Sequence, residues 1–140
     1  MPFSNPELQA FAVGFPIALL HAGVSIVLLI GGAVIYCLLT PYKDVQLIRD
    51  GNNAAALSLG GVLLALALPL AASLTASGSV VEVLLWGVSM VVVQLLYFRL
   101  VDIGLKGLPE RIVDGDVPAA ALLVAAKLGV AIILAAAVAA

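Results

Sequence analysis

Four apolar stretches separated by short polar ones make up most of the chain: Phe15–Leu39, Ala54–Leu74, Val80–Val101 and Pro118–Val138. Each reaches the ~20 residues that a helix needs to cross an apolar core of ~30 Å. The pattern therefore predicts an all-α polytopic membrane protein with four transmembrane helices. Between the first two stretches, Pro41 followed by Lys43-Asp44-Val45-Gln46-Leu47-Ile48-Arg49 predicts a short amphipathic turn of helix on the membrane surface, with Tyr42 as an interfacial anchor. Thr75-Ala76-Ser77-Gly78-Ser79 predicts a short loop. The residues before Pro16, punctuated by Pro2 and Pro6, predict a brief outer segment at the interface before the first span.

A second regularity runs at longer range. Asp50-Gly51-Asn52-Asn53-Ala54-Ala55-Ala56-Leu57 returns 64 residues later as Asp114-Gly115-Asp116-Val117-Pro118-Ala119-Ala120-Ala121, and the same offset aligns Gly23-Val24-Ser25 with Gly87-Val88-Ser89. The chain reads as one membrane domain, residues 1–140, built from two two-helix repeats, about 15–76 and about 79–140. Two spans per repeat give both copies one orientation, so the repeats are parallel. Within the motif Asp50, Gly51 and Asn52, like Asp114, Gly115 and Asp116, fit a turn followed by a helix N-cap, with Pro118 in the first helical turn where a missing N–H costs nothing. The motif reads as a turn and cap at the membrane surface or as a ligand or partner site.

Composition narrows the class further. Hydrophobic residues make up 64% of the 140 residues and charged ones 10%, against about a quarter charged in soluble domains. No room remains for a separate soluble domain. The net charge of -2 argues against nucleic acid as a partner, which would require a basic face. Cys37 is the only cysteine and lies in the first span, so neither an intramolecular disulfide nor a zinc cluster is expected. The N-terminus has no basic region of the kind that opens a secretory signal, so the first span is expected to be retained. Lys43, Arg49, Arg99, Lys106 and Arg111 all fall at or between the ends of spans one and two or of spans three and four, which puts both Asp-Gly loops in the cytoplasm and both termini outside.

Polar residues inside the spans are the candidates for function. Lys127 lies nine residues beyond Pro118, ~14 Å along a helix, where an ammonium costs roughly 2.5–3.5 kcal/mol on insertion scales. An antiparallel hairpin of spans three and four brings Gln94 level with it, and the offset of 64 puts Leu63 and Ile30 at the matching places of the first repeat. Gln94 accepts a hydrogen bond but cannot balance the charge. Balance must come from Asp102, from water and an anion, or from loss of the proton. Asp102 lies ~12 Å from Gln94 along its helix, which favours a water-accessible cavity near Lys127. His21 falls near Ser73, a pair suited to proton relay or to a plain hydrogen bond. Lys127, Gln94 and His21 thus form a candidate intramembrane polar site, structural or ion-binding. No paired carboxylates, metal-ligand spacing or phosphate loop accompanies them, so no enzyme, cofactor or metal is expected.

Small residues suggest how the helices meet. Gly61 and Ala65 correspond by the offset to Ala125 and Gly129, small-xxx-small pairs that predict close helix contacts. Ala121, Ala125 and Gly129 lie on one face of span four, and Ala120, Lys127 and Ala131 on roughly the other. One face for the bundle and one for a neighbouring subunit implies a homo-oligomer, most simply a dimer. Pro69 is expected to kink the second span.

Leu39-Thr40-Pro41-Tyr42, Leu47-Ile48-Arg49-Asp50-Gly51-Asn52, Ala54-Ala55-Ala56-Leu57 and Pro69-Leu70 together resemble the YjfL-like bacterial inner-membrane proteins, a domain-of-unknown-function family numbered three-fifty, and the resemblance covers nearly the whole chain. It includes the duplication, with Glu110-Arg111-Ile112-Val113-Asp114-Gly115 similar to the loop of a second copy, although Asp116-Val117-Pro118 departs from the first. The resemblance implies an inner-membrane location and no known activity or catalytic residue. Relatives are often encoded beside membrane-stress proteins, which implies partner proteins of that kind. The expected function is assembly or partner contact in envelope homeostasis, and the alternative is a small oligomeric channel or transporter with its polar site around Lys127 and Gln94.

Overall fold

The computed structural model describes residues 5–140, and no strand occurs among them. Six helices follow in order: α1 Pro6–Leu39, α2 Asp44–Arg49, α3 Asn53–Ala76, α4 Val80–Gly104, α5 Leu108–Arg111 and α6 Val117–Ala139. α1, α3, α4 and α6 are the four helices long and apolar enough to cross a membrane. The predicted surface turn is α2.

Local chemistry sets the helix ends. Asn52 Oδ1 accepts from Ala55 N at 2.9 Å, Asp116 Oδ1 from Ala119 N at 3.2 Å, and Ser79 Oγ from Glu82 N at 3.2 Å, so α3, α6 and α4 each start on a side-chain cap. The two Asp-Gly loops close in the same way. Gly51 (φ 90°) and Gly115 (φ 79°) both take the left-handed conformation that glycine adopts at low cost. Gly51 N donates to Ile48 O and Gly115 N to Ile112 O, both at 3.0 Å, while Asn52 N donates to Leu47 O and Asp116 N to Arg111 O. Asn52 does more than cap: its Nδ2 donates to the carbonyls of Ile112 and Val113 at 2.8 and 3.2 Å, tying the first loop to the second.

The tightest packing is between α3 and α6. A Cβ added at Gly61 would fall 2.4 Å from Val124 Cγ1, so glycine is what lets these two backbones approach. Ala65 is buried as expected, but Ala121, Ala125 and Gly129 are exposed, because α6 turns Ala120, Val124, Lys127 and Ala131 inward. The expected close contact at Ala125 and Gly129 is therefore absent within one chain. α1 packs on α4 and α3 only in its second half, with Gly32 against Val91 and Leu66, and Leu28 against Gly87.

The outer segment expected before Pro16 is not a separate element. Met1–Ser4 lie outside the described residues; from Pro6 onward α1 is one helix of 34 residues that runs through Pro16. Asn5 accepts from Glu7 N at 2.8 Å and Pro6 occupies the first turn, a start signal stronger than the break at Pro16, where the cost is one backbone bond. Ala22 and Ser25 of α1 flank Leu74, near the outer end of α3. Beyond that level every residue from Asn5 to Leu20 is exposed. About 15 residues of α1, ~22 Å at 1.5 Å per residue, thus overhang the bundle.

Candidate functional site

Lys127 is buried, its side chain 2% exposed, in the half of the bundle nearer α2. Its Nζ lies 2.9 Å from Asp102 Oδ1 and donates to Tyr36 Oη at 3.0 Å. The contact with Asp102 is an ion pair outside hydrogen-bond geometry. The rings of Tyr36 and Phe98, set edge to face at 85°, lie with centroids 5.0 and 5.9 Å from the ammonium, near enough for cation–π attraction. One cation thus joins α6, α4 and α1.

This geometry corrects one sequence expectation: Gln94 is not the hydrogen-bond partner of Lys127, whose counter-charge is Asp102. The ~12 Å between Gln94 and Asp102 is closed because side chains lean toward the N-terminus of their own helix. α4 and α6 are antiparallel, so Asp102 leans into the bundle while Lys127 leans out toward α2, and the two meet between. A cleft of about 310 Å³ is lined by Thr40, Tyr42, Arg99, Lys106, Glu110 and Asp102, whose side chain is 16% exposed. Asp102 thus touches both the cleft and Lys127.

Gln94, fully buried, has a different task. Its Nε2 donates to Ala65 O at 2.7 Å. Ala65 is four residues before Pro69, which has no N–H to donate, so this carbonyl has lost its partner within α3. In hydrocarbon such an orphan costs several kcal/mol, and a neighbouring helix can satisfy it. α3 accordingly continues through Pro69 to Ala76. Pro69 and Gln94 each lack a counterpart in the other half of the chain, where Ile133 and Ile30 stand; the two asymmetries answer one another.

No hydrogen bond joins His21 and Ser73. Ser73 Oγ donates to Leu70 O of its own helix at 2.7 Å, and His21, half-buried, makes no side-chain hydrogen bond among the described residues. Of the loop residues, Asn52 and Asp116 are caps and Gly51 and Gly115 supply the turns; Asp50 accepts from Gln46 Nε2 at 3.1 Å, and Asp114 is exposed. Arg111 pairs with Asp116. Gly51, Asn52, Gly115 and Asp116 of the motif thus take part in loop closure.

Sequence reasoning missed Tyr36 and Asp44. Asp44, at the start of α2, is buried, with Oδ2 accepting from Thr40 Oγ1 at 2.6 Å and Oδ1 without a partner. Burial pushes its carboxyl above the usual range, opposed by the Thr40 hydrogen bond and the charge of Lys127. Tyr36 falls at i+4 from Gly32 on the packed face of α1, a spacing that could have flagged it. No group of three or more metal-ligating side chains occurs among the described residues.

Four spans packed around a single internally compensated lysine, with connections too short for a soluble domain, define a small polytopic helical membrane protein. The comparisons refine this class. Residues 10–138 match the family model described as Domain of Unknown Function (DUF350), and the chain belongs to that family. It is 33% identical over 113 residues to the UPF0719 inner membrane protein YjfL of Escherichia coli (strain K12), covering 81% of this chain and 80% of that protein, and equally similar to the protein of the same name from Escherichia coli O157:H7. No solved structure matches significantly. The chain is an integral inner-membrane protein of an uncharacterised family.

Proposed function

We propose that the protein acts through protein contacts within the inner membrane, as a homo-oligomer, most simply a dimer, serving envelope homeostasis beside membrane-stress proteins. The observation that carries this reading is the overhang of α1. Leu8, Phe11, Val13, Phe15, Ile17, Leu19 and Leu20 are all between 48% and 67% exposed, on a helix of 34 residues where the other spans have 23 to 25. Spanning ~30 Å takes only ~20 residues, so this excess needs a cover that the single chain lacks. The outward stripe Ala121, Ala125 and Gly129 offers a second surface for close helix approach. Lys127 is compensated by Asp102 and the Gln94 Nε2 is engaged by Ala65, which leaves only the buried Gln94 Oε1 without a partner. Five basic residues near the Asp-Gly loops support a cytoplasmic position for these loops and periplasmic termini.

The test is a cysteine at Phe11 or Phe15 in a Cys37→Ser background. Disulfide-linked dimers are expected in native membranes, together with a mass above the monomer in mild detergent. A monomeric mass without crosslinking overturns the reading. Phe11→Glu is expected to insert normally and to abolish crosslinking from position 15, and both this variant and deletion of the protein are expected to sensitise cells to membrane stress. The second reading, an oligomeric ion pathway, is favoured by the cleft that Asp102 lines; it predicts ion flux in liposomes, where the assembly reading predicts none.

A further inference from the structure

A second and larger concavity, about 670 Å³, opens between α1, α2 and the first half of α3, and it contains none of the Lys127 cluster. Its wall is apolar: one face of α1 from Ile30 to Leu38, with Leu59 and Leu63 of α3. Its mouth is different, since Lys43 and Arg49 of the α2 segment stand there with Gln46. Both cations are exposed, and neither has an ion-pair partner among the described residues. The wall runs ~12 Å along α1, close to the ~15 Å of one leaflet. From these features we infer that the groove is a binding site for an anionic phospholipid of the leaflet on the α2 side, with an acyl chain along α1 and α3 and its phosphate between Lys43 and Arg49.

Charge decides the class of lipid. A groove with an apolar wall alone would take any acyl chain, whereas two unpaired cations at headgroup level select a net negative headgroup, about fivefold per cation and ~30-fold together. Asp44, which also lines the groove, does not cancel this. One of its oxygens is held by Thr40, and burial favours its neutral form.

The full-length protein in mild detergent, titrated with phosphatidylglycerol or phosphatidylethanolamine and read by native mass spectrometry, tests the assignment. Retention of phosphatidylglycerol is expected to exceed that of phosphatidylethanolamine by about tenfold or more, and Lys43→Gln with Arg49→Gln is expected to bring the two to parity. Val34→Trp, which fills the groove without altering charge, is expected to weaken both. A readout on the unaltered protein accompanies these variants. Cys37 lines the same groove, so phosphatidylglycerol is expected to slow its modification by a small maleimide several-fold, while phosphatidylethanolamine and soluble glycerol phosphate have less effect. Equal retention of the two lipids by the unaltered protein, or Cys37 modification indifferent to phosphatidylglycerol, overturns the proposal whatever the variants do.

Discussion

Removing either member of the Lys127–Asp102 pair is expected to have unequal consequences. Asp102→Asn leaves an ammonium 2% exposed with only neutral company: the amide that replaces the carboxylate, Tyr36 Oη and two aromatic rings. Breaking a buried pair in this way costs about 3–5 kcal/mol, because the surviving charge is stranded. Lys127→Met strands the other partner, but Asp102 is 16% exposed and lines the open cleft, where water or a proton can reach it; a loss of about 1–2 kcal/mol is expected. The double variant removes both charges and should lie near the parent or above it, since apolar replacement of a buried pair is often neutral or stabilising. The three variants form a cycle with a coupling of at least ~4 kcal/mol, the sum of the smaller expected single losses. Reversible unfolding in mixed detergent micelles measures it, each ~1.4 kcal/mol appearing as tenfold in the unfolding constant. Lys127→Met costing more than Asp102→Asn, or two losses that simply add, would refute the assignment of Asp102 as the counter-ion.

Gln94→Leu is expected to destabilise by about 1–3 kcal/mol through the orphaned Ala65 carbonyl, and by much less in a Pro69→Ala chain, whose restored N–H makes Gln94 dispensable; equal losses in both backgrounds would show that Gln94 acts otherwise. Gly61→Ala should cost about 1–3 kcal/mol by overpacking against the stiff Val124, with Val124→Ala restoring most of it, whereas Gly87→Ala meets the mobile end of Leu28 and should cost less. Asn52→Asp keeps the cap acceptor but loses the donor to Ile112 and Val113; about 1–2 kcal/mol of stability should go with it. Cysteines at Asp50 and Gly78, both exposed, should label from opposite sides of the membrane in a Cys37→Ser chain, position 50 only after permeabilisation; labelling of position 50 in intact cells reverses the topology.

The sequence by itself determined the four spans, the surface helix α2 and the way both Asp-Gly loops turn into a capped helix. These features depend on groups near one another in the chain: a run of apolar residues against a bilayer of known thickness, a glycine at positive φ, and a side-chain oxygen within three residues of an unpaired amide. Residue spacing also gave the depth of Lys127 and Gln94. Depth along a helix leaves the direction around it open, and that direction chooses the partner. The tertiary structure turned Gln94 toward α3, where Pro69 had freed a carbonyl, and turned Ala121, Ala125 and Gly129 outward although their spacing matches the buried Gly61 and Ala65. It brought Tyr36, Phe98 and Asp102 around the lysine from two other helices. It also carried α1 through Pro16, because one lost backbone bond costs less than abandoning a helix already capped at Asn5. Lys127 and Asp102 meet for a reason no spacing within a single helix contains: in antiparallel helices side chains lean in opposite directions, and here these directions converge.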